Sequence, residues 1–296
     1  MRFAIVGVGD YGSRYAAGLI AAGEDVTLIA RGKTLERLKT EGINSTQSIG
    51  FQAMRVEKVN ATDDCASVGP VDVVLMCVKL YQLDDAMETA SPLVGPDTAV
   101  LGFQNGLKGE DRLIARYGAD RVLGVGTGVA SVPVSIGELP RGKSSRTNAI
   151  VQVFNEAGIN VVEHDNVNEA IWLKFIRVCG GAVTASSRRS IGEMARIPEL
   201  RQLGGMAVAE AVVLANAKGL PFGNDEVAEF ENIIDDMSAR NPDWRPSLLQ
   251  DLDAGRPLEL DAWSGDAVKI GQELGIATPV NFSIYAALKP YENGSL

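Results

Sequence analysis

The N-terminus opens with a short apolar run, and a glycine-rich turn follows it directly. Residues 3–6 (FAIV) favour a β-strand, and the turn that follows reads Gly7-Val8-Gly9-Asp10-Tyr11-Gly12. The Ala- and Leu-rich segment Tyr11–Ala22 predicts a helix that ends at Gly23, and Val26–Ala30 predicts a second strand. This strand–helix–strand unit has about 30 residues, the length that a parallel crossover requires.

The glycine turn predicts a dinucleotide site. The first glycine permits a tight turn, the second lets backbone approach a pyrophosphate, and the third lets the helix pack closely on the strand. The start of the helix offers N–H groups and a positive dipole to phosphates. We therefore expect six residues to contact the cofactor: Gly7, Val8, Gly9, Asp10, Tyr11 and Gly12. The alternative interpretation is a glycine-rich turn without a ligand.

The end of the second strand distinguishes NADP from NAD. NAD sites place a carboxylate there to bind the ribose 2′-hydroxyl. This sequence has Ala30-Arg31-Gly32-Lys33 instead, without an acidic residue. A guanidinium at Arg31 can bind a 2′-phosphate through two hydrogen bonds, so the sequence favours NADP over the alternative of a solvated basic turn.

The strand and helix pattern continues to about residue 166 and then changes. Further strands are predicted over 51–56, Val71–Val78, Ala99–Phe103, Arg121–Glu138 and Ile159–Glu163, and further helices over Leu35–Glu41, Leu83–Thr89 and Ala149–Ala157. After residue 166 only helices are predicted, over Val167–Ala185, Pro198–Ala217, Asn224–Ala239, Pro246–Asp253 and Leu260–Leu274. We therefore predict an α/β fold in two domains: a Rossmann-type NADP-binding domain over 1–166 and an all-helical substrate and catalytic domain over 167–296.

Charge and composition narrow the class of partner. The formal net charge is −10, which argues against a nucleic-acid or anionic-membrane partner. Three cysteines lie far apart and the chain has one histidine, so no metal site is predicted. We expect Cys77 and Cys179 to be small core residues. No apolar run is long enough for a membrane span and no secretory leader is evident, so we expect a cytoplasmic protein.

Several short motifs, in this order along the chain, carry a resemblance to a known family. They are the glycine turn with Arg31 after the second strand, VKLYQ at 78–82, QNGL at 104–107, Trp172-x-Lys174, SLLQD at 247–251 and ELDxxxG at 259–265. Together they resemble the ketopantoate reductase (2-dehydropantoate 2-reductase) family over nearly the whole chain.

The resemblance implies a reaction and a set of site residues. Members reduce a 2-keto acid to a 2-hydroxy acid with NADPH, on the pathway to pantothenate, and ketopantoate is the expected substrate. By resemblance, Lys174 is the catalytic lysine that gives a proton to the ketone oxygen, and Glu259 is a carboxylate that contacts cofactor and active site. Asn105 is shared between nicotinamide and substrate, Ser247 contacts substrate, and Lys79 and Gln82 lie on the cofactor side.

The sequence departs from the family where asparagines usually bind the substrate's polar groups. Val178 and Ala182 stand four and eight residues after Lys174, and Ile191 stands before Gly192-Glu193. These substitutions leave open a reductase for a more apolar 2-keto acid, or a non-catalytic NADP-binding protein. Replacement contacts, including contacts to a carboxylate, are expected from Arg177, Ser186, Ser187, Arg188 and Arg189. The expected partner is a small 2-keto acid, and the assembly compatible with this interpretation is a homodimer.

Overall fold

The computed structural model describes residues 1–45, 53–127 and 133–294. Within these ranges the strands are β1 (Arg2–Val6), β2 (Asp25–Ile29), β3 (Ile43–Ser45), β4 (Met54–Val56), β5 (Asn60–Thr62), β6 (Val73–Met76), β7 (Ala99–Gly102), β8 (Val122–Gly126), β9 (Val134–Glu138) and β10 (Val161–Glu163). The main sheet has the order β10-β9-β8-β7-β6-β1-β2-β5, and β3 and β4 form a separate antiparallel pair.

The main sheet is parallel except where β9 runs antiparallel to β8. Strand β1 lies between β2 and β6, and both of these neighbours are parallel to it. The strand order therefore reverses at β1: the chain continues to β2 on one side of it and later returns to β6 on the other. In sheets of this kind ligands bind at the carboxyl ends of the strands where the order reverses. This arrangement confirms the predicted Rossmann-type α/β fold.

The helices of the described ranges cover the strands and fill the C-terminal half. They are α1 (Asp10–Ala21), α2 (Gly32–Glu41), α3 (Cys65–Val68), α4 (Leu83–Ala90), α5 (Gly109–Tyr117), α6 (Ser145–Glu156), α7 (Val167–Gly181), α8 (Val183–Ser187), α9 (Ile191–Arg196), α10 (Pro198–Ala217), α11 (Asp225–Arg240), α12 (Ser247–Asp253), α13 (Ser264–Leu274) and α14 (Pro279–Leu288). None of them combines the length and the apolar character that crossing a membrane requires.

Some predicted elements differ from the observed ones. The helix predicted over Val167–Ala185 breaks after Gly181, where the Thr184 hydroxyl donates to the Gly181 carbonyl (2.7 Å) and competes with helix continuation. The helix predicted over Leu260–Leu274 starts only at Ser264, after a separate 3₁₀ turn. The sequence pattern does not predict helices α3, α5, α9 and α14. Residues 51–52 of the strand predicted over 51–56 and residues 128–132 of the strands predicted over Arg121–Glu138 lie outside the described ranges.

The contacts divide the chain into two compact units. The first comprises Met1–Gln104 and Lys108–Ile171, and the second comprises Asn105–Leu107 and Trp172–Leu296. The first unit contains the whole main sheet, whose core includes the fully buried side chains Phe3, Tyr15 and Phe154. The division runs through α7, and the short segment Asn105–Leu107 belongs to the helical unit although the chain around it belongs to the first.

Small residues let three helices of the second unit pack around one aromatic ring. A Cβ on Gly180 of α7 would lie 2.7 Å from a ring carbon of Phe230, and a Cβ on Gly204 of α10 would lie 2.9 Å from another. Phe230 itself is on α11 and is buried. Because neither glycine can accept a side chain without movement, these contacts fix the spacing of α7, α10 and α11.

One carboxylate holds the start of α14 against α10. Glu210 accepts hydrogen bonds from the backbone N–H groups of Val280 (2.8 Å) and Asn281 (2.9 Å) and from the buried Asn281 amide (2.8 Å). We expect Glu210→Ala to lower the free energy of unfolding by about 1–3 kcal/mol, because it leaves buried donors without their acceptor. Urea denaturation measures this. Glu210→Gln, which keeps one acceptor, should lose less, and equal losses would contradict the capping role.

Candidate active site

Two glycines of the N-terminal turn are required by the protein's own packing. Gly7 has φ of +92°, and a Cβ there would lie 2.7 Å from a Val78 methyl and 3.0 Å from the Cys77 carbonyl. A Cβ on Gly12 would collide with the Gly7 carbonyl oxygen. The strained backbone and the close approach of α1 to the strand therefore explain both glycines without any ligand.

The middle glycine is different. Apart from its two chain neighbours, a Cβ on Gly9 would meet no atom of the described residues within 4 Å. Gly9 is the N-cap of α1, and no side chain caps this helix end in the described structure. The protein itself therefore gives no packing reason for glycine here. The open space lies where the uncapped N–H groups of the first turn begin, at the carboxyl end of β1.

The other residues of the turn have separate environments. Val8 is buried, whereas Tyr11 is 38% exposed. Asp10 is exposed and forms an ion pair with Arg14 one turn along α1 (2.7 Å). The Asp10 carboxylate lies in the first turn, where the helix dipole favours a negative charge.

Arg31 is the N-cap of α2, directly beyond the end of β2. It is exposed, and its guanidinium donates a hydrogen bond to the Thr89 hydroxyl on α4. Lys33, on the first turn of α2, is exposed as well. Thr89 therefore holds the guanidinium at the same edge of the sheet as the glycine turn.

Lys79 and Gln82 bracket a 3₁₀ turn, Leu80–Gln82, at the carboxyl end of β6. The Gln82 side-chain oxygen accepts a weak hydrogen bond from the Lys79 backbone N–H (3.4 Å), which closes the turn. Gln82 is exposed and Lys79 is half-buried.

Gln104, the first residue of the QNGL motif, has a structural role. Its side-chain amide donates to the carbonyls of Met76 (2.7 Å) and Val78 (3.0 Å). The amide thus ties the end of β7 to the end of β6 and fixes the loop that carries Lys79.

Asn105 belongs to a loop that packs on the segment before α13. The next residue, Gly106, has φ of +86°, and a Cβ there would lie 2.8 Å from the Ala262 Cα. The Leu107 N–H points at the Asp266 carboxylate at 3.5 Å. Asn105 is therefore held against the segment that begins with Glu259, and both belong to the second unit.

Lys174, Glu259 and Ser247 all lie in the second unit. Lys174 is partly exposed on α7, beside Trp172, whose ring packs edge-on to Phe175 at 5.7 Å between centroids. Glu259 is 6% exposed and precedes the 3₁₀ turn Leu260–Ala262. Ser247 is the first residue of α12 and follows Pro246, the N-cap of that helix.

Apolar side chains occupy the three positions where the family usually has asparagine. Val178 is 7% exposed, Ala182 is fully buried, and Ile191 is 3% exposed. The Ile191 N–H donates to the Trp244 carbonyl (3.0 Å). This hydrogen bond joins the start of α9 to the loop that precedes Ser247. Val178 follows Lys174 by four residues on α7, where residues at this spacing are neighbours. Ala182 lies just beyond the end of that helix and donates its N–H to the Val178 carbonyl (3.0 Å).

The cysteines Cys77 and Cys179 do not supply a nucleophile. Burial raises the pKa of the Cys77 thiol and of the Cys179 thiol well above the ordinary range, so both stay protonated at neutral pH. Burial also raises the pKa of Glu110 to about 7, opposed by hydrogen bonds from its own backbone N–H and that of Val125. In the described ranges, no group of His, Cys, Asp and Glu side chains could hold a metal ion.

Comparison with known proteins places this chain in a family. The family model described as ketopantoate reductase PanE/ApbA matches residues 3–139, and its C-terminal companion matches residues 166–292. The chain therefore belongs to the ketopantoate reductase family, and it is an oxidoreductase of the 2-dehydropantoate 2-reductase type. The resemblance drawn from the short motifs is confirmed.

Individual relatives agree with this assignment. The chain is 30% identical to a 2-dehydropantoate 2-reductase from Caulobacter vibrioides, over 80% of this chain and 86% of the relative. A solved 2-dehydropantoate 2-reductase from Geobacter metallireducens is 27% identical, with a TM-score of 0.86 over 98% of this chain and 99% of the other. A D-mandelate dehydrogenase solved with NADH and anilino(oxo)acetate has a TM-score of 0.87 at 21% identity, over 99% and 98% of the two chains.

Proposed function

We propose that this protein reduces a 2-keto acid to the corresponding 2-hydroxy acid with NADPH. Residues 1–166 form the cofactor domain and residues 167–296 the substrate and catalytic domain. The observation that carries the proposal is the glycine turn, because Gly7 and Gly12 are required by protein contacts and Gly9 is not. A glycine kept beside open space and an uncapped helix end fits close approach of a pyrophosphate.

The residues around the turn fit a dinucleotide phosphorylated on the ribose. Val8, Asp10 and Tyr11 complete the turn that would surround the pyrophosphate, and the exposed Arg31 would bind the 2′-phosphate at the end of β2. Lys79, Gln82 and Asn105 would contact the nicotinamide half. Bound NADPH supplies the hydride that the reaction adds to the ketone carbon.

The chain's own residues would supply the rest of the chemistry. Hydride addition places negative charge on the ketone oxygen, and an ammonium stabilises that charge and gives the oxygen a proton. We assign this role to Lys174, so that the substrate gains one hydride and one proton and leaves as the alcohol. The buried Glu259 would orient the lysine and contact the cofactor, and Ser247 and Asn105 would hold the substrate.

Two substrates are candidates. Ketopantoate is the first, because relatives carry the name 2-dehydropantoate 2-reductase. A more apolar 2-keto acid is the second, and the buried side chains of Val178, Ala182 and Ile191 favour it because none of them can hydrogen-bond a substrate hydroxyl.

A homodimer is the assembly we propose.

A turnover assay separates these candidates. The loss of reduced-nicotinamide absorbance is followed with NADPH and with ketopantoate, pyruvate, 2-ketoisovalerate, 2-ketoisocaproate and phenylpyruvate. The highest kcat/KM for ketopantoate supports the first candidate, and the highest for an alkyl or aromatic 2-keto acid supports the second. Binding of NADPH without turnover of any 2-keto acid would contradict the proposed function.

Two glycine substitutions test the assignment of the turn. We expect Gly9→Ala to keep the Tm of the apoprotein, since its Cβ enters open space. The same variant should weaken NADPH binding by at least about tenfold, because the added methyl group would clash with the pyrophosphate at a cost of over about 1 kcal/mol. Gly12→Ala is the matched variant and should lower the Tm by several degrees without ligand. Calorimetry of NADPH binding and thermal denaturation measure both. Unchanged NADPH affinity in Gly9→Ala would remove the pyrophosphate from this turn.

A further inference from the structure

Five side chains on and after α7 could replace the missing asparagines, and four of them are engaged elsewhere. The Ser186 and Ser187 hydroxyls donate to the Val183 carbonyl at 3.1 and 2.7 Å. Arg189 pairs with Glu193 at 3.0 Å, and the Arg188 guanidinium lies over the Tyr291 ring at 5.3 Å. The two serine contacts satisfy the hydroxyl donors locally, and Arg188 and Arg189 are exposed, so water reaches their remaining donors.

Arg177 is the exception. Its side chain is 11% exposed, and in the described structure its Nε is buried without a hydrogen-bond partner. Its ion-pair partner is Glu226 of α11, with Nη2 and Oε2 separated by 3.7 Å, which is too long for a hydrogen bond, and the charge of Glu229 on the same helix also acts on it. Burying a guanidinium is costly unless its N–H donors are satisfied. The Arg177 Nε–H group therefore needs an acceptor that the described residues do not supply.

Arg177 also lies close to the proposed proton donor. It follows Lys174 by three residues on α7, and side chains at this spacing share a helix face with Cβ atoms about 5–6 Å apart. In a 2-keto acid the carboxylate is bonded directly to the ketone carbon. A substrate whose ketone oxygen meets the Lys174 ammonium therefore has its carboxylate within reach of a side chain one turn away.

We propose that Arg177 is the receptor for the substrate carboxylate, and that Glu226 holds the guanidinium in place until the substrate displaces it. The proposal rests on the proposed 2-keto acid reductase function and adds a binding residue to it. The planar guanidinium would accept the carboxylate as a two-bond pair and satisfy the buried Nε. Glu226 and the substrate carboxylate compete for the same cation, so removal of the Glu226 charge strengthens substrate binding.

This competition gives two variants with opposite effects. Arg177→Met keeps much of the apolar stem and should raise KM for the best 2-keto acid by roughly 10- to 100-fold, the loss expected for one or two charge-assisted hydrogen bonds. Glu226→Gln keeps the shape and should lower KM several-fold. Arg201→Met is the control, because Arg201 pairs with Asp235 and Glu231 on α11, and it should leave KM unchanged. A structural ion pair predicts that both partners' variants impair the enzyme alike.

Binding of oxamate tests the carboxylate receptor apart from turnover. Oxamate has a carboxylate next to an amide carbonyl and cannot be reduced, so calorimetry on the NADPH-loaded protein reads the receptor even if no 2-keto acid is a substrate. We expect wild type to bind oxamate, Arg177→Met to lose at least tenfold in affinity, and Arg177→Lys to fall between them, with NADPH affinity constant throughout. Absence of oxamate binding to wild type, or equal affinity in wild type and Arg177→Met, would overturn the proposal. Thermal denaturation shows whether Arg177→Met folds. If it does not, the oxamate affinities of Arg177→Lys and Glu226→Gln test the proposal instead.

Discussion

Replacement of Lys174 by alanine should lower kcat for the 2-keto acid by about 10²- to 10⁴-fold and leave the Kd for NADPH within a factor of about two. The loss falls on kcat because the ammonium acts on charge that develops on the ketone oxygen only as the hydride arrives. Steady-state kinetics with saturating NADPH measure the first quantity, and fluorescence titration of NADPH measures the second.

The fold should tolerate this change. Lys174 is partly exposed on α7 and alanine is a favourable helix residue, so Tm should stay within a few degrees. Lys218→Ala, at an exposed lysine that ends α10, is the matched control and should keep full activity. If Lys174→Ala retains kcat, the proton comes from another group. If it loses NADPH binding in parallel, Lys174 is a cofactor residue rather than the proton donor.

The parts of the fold that local chemistry specifies were predictable from the sequence. The β1 run, the glycine turn and the α1 helix form one continuous signal, because strand, turn and helix each depend on residues within a few positions. The helix α14 was missed although Pro279 marks its first turn. Its start depends on Glu210, seventy residues earlier, whose carboxylate holds the Val280 and Asn281 N–H groups. A cap supplied from such a distance leaves no local pattern.

The candidate site divides in the same way. The roles proposed for Gly9 and Arg31 follow from their neighbours in sequence. Those proposed for Lys174 and Glu259 rest on resemblance to a family, because a lysine on an apolar helix is more often a solvated side chain. The difference between Arg177 and its four polar neighbours could not be predicted at all. This difference depends on which donors have a hydrogen-bond partner, and on the 3.7 Å distance between Arg177 Nη2 and Oε2 of Glu226 on another helix.

Replacement of Arg31 by aspartate should reverse the cofactor preference. We expect the ratio of kcat/KM with NADPH to kcat/KM with NADH to fall by at least about 100-fold, because one or two charge-assisted hydrogen bonds to the 2′-phosphate are lost. The new carboxylate would also repel that phosphate and accept hydrogen bonds from the ribose hydroxyls of NADH. Parallel assays with the two cofactors at one 2-keto acid concentration measure the ratio.

The local structure allows this test to be specific. Arg31 is exposed and its guanidinium contacts the Thr89 hydroxyl, which also donates to the Asp85 carbonyl (2.9 Å) and therefore keeps a partner when Arg31 is lost. Arg37→Asp is the matched control, since it makes the same charge change at an exposed position on the same helix. A general electrostatic effect would move both variants equally. An effect confined to Arg31→Asp assigns the 2′-phosphate to the N-terminus of α2, whereas an unchanged ratio would show that the absence of a carboxylate after β2 does not select NADPH in this protein.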